Sequence, residues 1–365
     1  ATMACPTPRP AVRGGTATVR ISPRSSHITC RAPHPTTSPS GTWSNTGVAV
    51  DSRTPYRVYG GLQDNSSWVG QSQYPGGIAN SQWENMYGGD GFWMFSDPAD
   101  PDHLYAEYQG GSIARVNRYT HQARDIQPKA NYKEKLRWNW NTPIHLSPNE
   151  KGTLYIGSQF LFRTRDQGQT WERISPDLST NDVTKIMATG SGAENYGVVY
   201  ALAESPAKAG LLWAGTDDGK LWRSDNEGAS WTDLTATLPP AARGQWISRV
   251  EPSARDANVA YLAVDAHRTG NYAPLAYRTA DGGRTWQSIA GTLPAGGPVK
   301  VVREDPASPN LLYAGTEFGL FASVDRGRRW FRFGGLPTVA VDDILVHPRD
   351  RDLVVATHGR SLYVL

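Results

Sequence analysis

Cysteine is nearly absent from this sequence: there are two in 365 residues, at positions 5 and 30. That excludes a disulfide-rich scaffold and a multi-cysteine zinc site. Cys5 and Cys30 read equally well as a disulfide or as two free thiols, and the cysteine-free remainder suits an oxidising or a reducing compartment. No run approaches the roughly 20 consecutive apolar residues of a membrane-spanning helix. Charge of one sign is also lacking: the net charge is +3 and the basic residues are dispersed, so nucleic acid is not an expected partner. The chain contains no G-x-S-x-G elbow, P-loop, H-E-x-x-H or C-x-x-C.

Turn-formers and indoles are plentiful, with 37 Gly, 26 Pro and 13 Trp. That composition favours many short strands joined by tight turns. Residues 1–45 differ from the rest: they are rich in Pro, Arg, Ser and Thr, and they lack the apolar centre of an intact signal peptide. The expected organisation is an atypical arm over 1–45 and a repeat domain over 46–365.

A repeated unit fills the second segment. Each copy has an apolar strand, a Pro/Asp turn and a second strand ending in small residues, as in "VAVDSRTPYRVYGG", "IHLSPNEKGTLYIGS" and "KVVREDPASPNLLYAGTEFG". Tyr59, Tyr105, Tyr155, Trp213, Tyr261 and Tyr313 align, with Val354 in the last copy, at spacings of about 40 to 60 residues. This is the period of four-stranded propeller blades, and it predicts an all-β, seven-bladed β-propeller. Six blades are complete and the last has three strands, so "TATVRIS" (16–22) or "SSHITC" (25–30) is expected to supply the closing strand.

Four copies carry a second signature: "RTRDQGQTWERI", "RSDNEGASWTDL", "RTADGGRTWQSI" and "ASVDRGRRWFRF". In each, Gly168, Gly228, Gly283 or Gly327 sits where the turn needs positive φ. Asp166, Asp281 and Asp325 are placed to accept backbone N–H groups of their own turn. The second of these turns has Asn226 there, which makes similar bonds without a charge, so the turn reads as scaffold. Trp171, Trp231, Trp286 and Trp330 are expected to fill the gaps between blades.

These turns resemble the Asp-box (bacterial neuraminidase) repeats of sialidase-like and sortilin-like propellers. With "YGGLQDNSSW", "RWNWNTPI" and "ATHGRSLYVL", the resemblance extends from about residue 46 to the end, to a bacterial Asp-box family often labelled glycosyl hydrolase or sortilin-type. It implies a secreted or periplasmic protein and working groups on the face opposite the boxes. Some xyloglucan-hydrolysing enzymes with such boxes carry a catalytic Asp in a 2–3 turn of the form T-D-x-G-G. "GTDDGKL" (215–221) and "GGLQDNS" (60–66) are similar. Those enzymes clamp the glycan between two propellers, whereas this chain carries one.

That opposite face is formed by the 2–3 turns and the links between blades. Its candidate catalytic acids are Asp64, Asp90, Asp217, Asp218 and Glu317, with Asp64 and Asp217 leading. Candidate substrate-binding residues are Asn65, Arg137, Trp138, Trp140, Tyr196, His267, His358 and Arg360. Glu84, Asn139, Glu194, Asn195, Trp246, Asp265 and Arg268 share the rim. Indoles stack on sugar C–H faces, and carboxylates and amides take hydroxyls. Glycoside hydrolysis needs two carboxylates, roughly 5 Å apart for retention and about 6.5 to 9.5 Å for inversion. The expectation is therefore a carbohydrate-active hydrolase acting on a poly- or oligosaccharide. The alternative is a non-catalytic propeller that binds a peptide, protein or glycan. No cofactor is expected, although clustered rim acids would also suit a structural Ca²⁺. Asp or Asn in a tight hairpin is equally ordinary turn chemistry, and His145 reads as a packed residue.

Overall fold

Strands of two to nine residues, joined by tight glycine and proline turns, pair most readily with their sequence neighbours. The computed structural model, which describes residues 47–130, 134–186 and 195–365, shows that outcome. Seven antiparallel sheets follow one another along the chain, six of four strands and one of three. They are the blades of a seven-bladed β-propeller. The first, innermost strands are Val48–Val50, Gly91–Ser96, Ile144–Leu146, Val199–Glu204, Trp246–Pro252, Val299–Asp305 and Val341–Val346. Blade 5 is representative: Trp246–Pro252 pairs with Ala260–Asp265, then Leu275–Thr279, then Gln287–Ser288. The expectation of a fourth strand for blade 7 from 16–22 or 25–30 falls outside the described residues, as do the 1–45 arm and both cysteines.

The aligned aromatics hold the blades together. Tyr59, Tyr105, Tyr155, Trp213, Tyr261 and Tyr313 are buried, as is Val354 in the last copy. Each such side chain stabilises by roughly 1.5–3 kcal/mol on burial. Between blades 5 and 6, Tyr261 and Ala263 pack in one cluster with Val302, Leu312, Phe321 and Trp330. Opposite four of the aromatics on the neighbouring strand stand Arg115, Arg163, Arg223 and Arg278. Two of these arginines reach the next blade, Arg163 to Glu227 at 3.0 Å and Arg223 to the Gly282 carbonyl at 2.8 Å.

The recurrent turns join the third strand to the fourth and lock blade to blade. In blade 5, Thr279 Oγ1 and the Thr285 N–H both donate to Asp281 Oδ1, at 2.8 and 2.9 Å, and Thr285 Oγ1 donates to Oδ2 at 2.6 Å. Asn226 keeps this pattern, accepting the Ser230 N–H at 3.0 Å and donating to Ser230 Oγ at 2.9 Å. The Trp171, Trp231 and Trp330 indoles donate to the carbonyls of Ile126, Ile174 and Ile289, each at the end of the preceding blade, at 2.7, 2.8 and 2.7 Å. Gly168 fits the same junction: its φ is +84°, and a Cβ there would stand 2.6 Å from Ile126. Hydrogen bonds from Thr170 and Thr285 lower the Asp166 and Asp281 carboxyls to about 2.

Closure of the ring is made by buried charge. Asp343 on the first strand of blade 7 accepts the Val48 N–H of blade 1 at 3.1 Å through Oδ2. Its Oδ1 takes Arg303 of blade 6 at 2.9 Å and Arg249 of blade 5 at 3.4 Å. Glu251 pairs with Arg303 from the other side. Further out, Tyr56 stacks on His347 with ring centroids 4.1 Å apart and donates to Asp352 at 2.8 Å. Removing one partner of a buried pair strands the other charge. Asp343→Ala is therefore expected to cost about 3–5 kcal/mol in urea denaturation at neutral pH. Asp281→Ala, which loses hydrogen bonds in an exposed turn, should cost nearer 1 kcal/mol. The Asp281 contribution should fade as pH falls below the ordinary carboxylate range toward about 2, because its folded-state pKa is the lower one. Equal costs for the two variants would contradict this division of labour.

Candidate functional site

Blade geometry puts the 2–3 turns and the inter-blade links on the face opposite the recurrent turns, and hydrogen bonds join much of that rim into one arc. Asp64 lies in the 2–3 turn of blade 1, exposed, at a φ of +63°. Its N–H donates to Asp90 Oδ1 at 3.0 Å, and Asp90 lies just before the first strand of blade 2. The Asp64 carboxyl group and the Trp140 indole both lie close enough to Asp90 to influence its titration. Burial first, and then the Asp64 charge, raise the Asp90 pKa from its ordinary value. The Trp140 carbonyl accepts the Gly110 N–H at 3.1 Å. Trp138 lies against Gly111, whose α-carbon could carry no side chain without meeting the indole at 2.8 Å. Asn195 Nδ2 then donates to the Trp138 carbonyl at 2.7 Å, which brings the link before blade 4, with Tyr196, beside the indoles.

At the far end of the arc stand Asp217 and Asp218 in the 2–3 turn of blade 4. Asp217 is 5% exposed, and its Oδ1 accepts the N–H groups of Gly197 and Val198 at 3.0 and 2.9 Å. Burial, reinforced by the Asp218 charge, pushes its carboxyl up to about 7. Asp218 Oδ2 accepts both the N–H and the hydroxyl of Thr180 at 2.7 Å, and Oδ1 accepts the Thr216 hydroxyl. The two leading acids, Asp64 and Asp217, thus belong to blades 1 and 4, each with its own carboxylate neighbour.

The remaining candidates divide between structural and open positions. The Arg137 guanidinium is engaged by Asp177 at 3.1 Å, Ser179 at 2.9 Å and the Gly197 carbonyl at 3.0 Å, so it braces blade 3 against blade 4. Asn65 Nδ2 donates to the Gln63 carbonyl within its own turn at 3.2 Å. His267 Nδ1 lies 2.7 Å from Asp265, and His358 Nδ1 lies 3.5 Å from Asp342, whose carboxylate raises the His358 pKa. Glu317 is half-exposed, 3.8 Å from Lys300. Arg360 is exposed on the turn of blade 7, and Glu194 falls outside the described residues. His145 is half-buried on the first strand of blade 3, where desolvation and Arg303 lower its pKa to about 4. Among the described residues no three His, Cys, Asp or Glu side chains converge as a cation site; the rim acids are held in separate pairs.

Inside the rim, a cavity of about 130 Å³ opens at the channel mouth. Asp265, His358 and Trp246, all named from the sequence, line it together with Trp93, Asn141, Tyr200, Ser248, Arg249, Lys300 and Asp342, which were not. Most of the latter sit on first strands. The available signal was the presence of charged and aromatic residues inside otherwise apolar inner strands, as in "VKVVRED" and "VDDILV".

No protein-family model matches the chain. It is 28% identical over 158 residues to a probable oligoxyloglucan-reducing end-specific xyloglucanase of Neosartorya fischeri; the match is 40% of this chain and 19% of that protein. It is 29% identical over 170 residues to a xyloglucanase of Hypocrea jecorina, or 46% of this chain and 17% of that one. The chain thus matches less than a fifth of the length of these curated relatives. Among solved structures, the GH74 xyloglucanase of Xanthomonas campestris superposes with a TM-score of 0.51 and 19% identity, over 74% of this chain and 44% of that one. YCF48 of Cyanidioschyzon merolae gives 0.56 and 12%, over 89% and 98%. At these identities the likeness establishes the propeller fold and leaves the chemistry to the site.

The elevated Asp217 pKa has a consequence for stability. The native state holds a proton that the unfolded chain has already released, so stability falls as pH rises from the ordinary carboxylate range toward about 7. Asn at this position keeps an acceptor for Gly197 and Val198 and removes the buried charge. Asp217→Asn should melt higher than the parent at about pH 8 and like the parent near pH 4. An unchanged pH slope in the variant would contradict the elevated pKa.

Proposed function

We propose that this propeller is a carbohydrate-active hydrolase that cleaves a glycosidic bond on the 2–3-turn face, with Asp64 and Asp90 as the reacting pair. The observation that carries the reading is the Asp64 N–H on Asp90 Oδ1 at 3.0 Å, which sets two acids side by side near Trp140, with the Asp90 pKa raised. A carboxyl group that keeps its proton to higher pH can protonate the leaving oxygen, while its neighbour serves as nucleophile. The scheme is a retaining one, which needs the two carboxyl groups roughly 5 Å apart across the bond. In this scheme the Asp90 proton passes to the glycosidic oxygen as the bond from that oxygen to the anomeric carbon breaks. The Asp64 carboxylate attacks that carbon, and water then hydrolyses the glycosyl ester with Asp90 as base. Trp140 and Trp138 offer indole surface for the flanking sugars. The partial similarity to two fungal proteins named as xyloglucanases supports a polysaccharide as the substrate class. The recurrent turns, read as Asp boxes, are scaffold in this scheme. Asp217 and Asp218, whose oxygens are occupied by backbone and threonine donors, are structural.

Asp64→Asn and Asp90→Asn should each lower kcat on a responsive glycan by roughly 10²–10⁴-fold without changing the melting temperature greatly. Activity should fall as pH rises through the Asp90 pKa, because the acid form is required. In Asp64→Asn the residual activity should fall at lower pH, since the neighbouring charge that helps raise the Asp90 pKa is gone. Full rates in both variants would refute the assignment. A parent that binds glycans from the panel but cleaves none would make this a binding propeller.

A further inference from the structure

Five of the seven first strands carry an extra residue at the same level. In blade 4, Val199 pairs with Thr216 and Ala201 with Gly215, which leaves Tyr200 without a partner. The same slip isolates Ser248 in blade 5, Lys300 in blade 6 and Asp342 in blade 7. In blade 2 the register jumps between Gly91 and Met94, across Trp93. A bulge gives up regular ladder bonding and re-aims a side chain. Here all five residues, Trp93, Tyr200, Ser248, Lys300 and Asp342, line the one cavity at the channel mouth. Five independent strands broken at one height toward one space make a constructed pocket.

The pocket's chemistry is that of a hydroxyl-rich ligand. Three polar atoms on its lining have no hydrogen-bond partner, the donors Trp246 Nε1 and Arg249 Nε and the acceptor Asn141 Oδ1, and a fourth, Asp342 Oδ2, meets His358 Nδ1 at a long 3.5 Å. Buried polar groups are costly unless something completes them. Hydroxyl groups both donate and accept, so a polyol can serve all four. Aromatic surface faces the same space: Trp246 meets Tyr200 edge-on at 4.5 Å, with the Arg268 guanidinium 4.2 Å from its ring centroid. The Arg249 guanidinium lies over the Trp93 ring, 5.0 Å from its centroid, on the same lining. Charges of both signs share the lining, with Lys300 paired to Asp265 at 3.0 Å, Asp342 beside His358 at 3.5 Å, and Arg249 paired to Asp343 at 3.4 Å. A carboxylate would meet Asp342, and an ammonium group would meet Arg249. At about 130 Å³ the space is well below the ~300 Å³ at which pockets begin to take drug-sized ligands, so it admits a single ring.

We propose that this pocket is a subsite for one uncharged sugar ring at a chain end, so that the protein engages glycans end-on. The inference rests on the glycan reading above and deepens it. Trp140, which lies close to Asp90, is followed directly by Asn141 of the pocket, and Asp90 precedes Trp93 by three residues, so the reacting pair and the pocket share two segments. With room for one ring, the pocket stops the chain there. Cleavage then releases monosaccharide, with no ladder of internal fragments.

Saturation-transfer NMR and calorimetry on the full chain test this, using neutral hexoses and pentoses, the matching hexuronates and hexosamines, and longer neutral oligosaccharides. A neutral monosaccharide should bind, with its uronate and amino counterparts roughly tenfold weaker or worse. Trp246→Ala and Asn141→Leu should each reduce that binding by a similar factor at an unchanged melting temperature; should Trp246→Ala unfold, Asn141→Leu carries the test. Binding that prefers the uronate or the amino sugar, or that survives both variants, overturns the proposal. Oligosaccharides that bind or are cleaved while no monosaccharide binds would overturn the subsite and leave the glycan reading standing. If no glycan of any length binds, both fall.

Discussion

The Asp343 carboxylate holds the two ends of the ring together. One oxygen receives a backbone N–H of blade 1, and the other receives guanidinium groups from blades 5 and 6. A propeller blade buries only one face against each neighbour, so an unclosed ring would leave the apolar faces of Val48, Val58, Val354 and Ala356 in water. The charges that close it also occupy the channel. Glu251, Arg303, Asp343 and Arg249 lie on the inner strands, and Trp93 caps Arg249. The cavity at the mouth on the 2–3-turn face is lined by Trp93 and Arg249 themselves. Closure and site thus share residues: Arg249 pairs with Asp343 to close the ring and also lines the pocket.

Inter-blade locking is separate from that mouth. The tryptophan and glycine of each recurrent turn grip the end of the preceding blade, and the Asp or Asn between them is spent on its own turn. The interchange of Asp281 with Asn226 in equivalent turns fits a group whose hydrogen-bonding shape matters more than its charge. Chemistry can therefore vary on one face while the other maintains the ring.

Much of this was legible in the sequence because it is periodic. The aligned aromatics, the turn glycines and the face opposite the turns each follow from repetition, and each stands where repetition put it. The pocket was not legible because it is built from departures. A bulge looks like a flaw in period-two alternation, so Tyr200 in "VVYALAE" and Lys300 in "VKVVRED" read as ordinary strand residues. Spacing also could not separate acids that look alike. Asp64 and Asp217 are both turn carboxylates, but one is exposed beside Asp90 and the other is enclosed by the N–H groups of Gly197 and Val198. Arg137 likewise resembles a substrate ligand in "RWNWN" until its partners Asp177, Ser179 and Gly197 are seen.

The fold alone supports many activities, so the central claim is about place: sugar is handled at the mouth on the 2–3-turn face, along the arc from Asp90 and Trp140 into the bulge-lined pocket. A crystal structure of the full chain soaked with a neutral oligosaccharide tests it most directly. The account predicts density with one terminal ring against Trp246 and Tyr200 and the next linkage beside Asp64 and Asp90. Sugar bound instead on the recurrent-turn face, or in the groove between blades 3 and 4 beside Arg173 and Trp231, would contradict it.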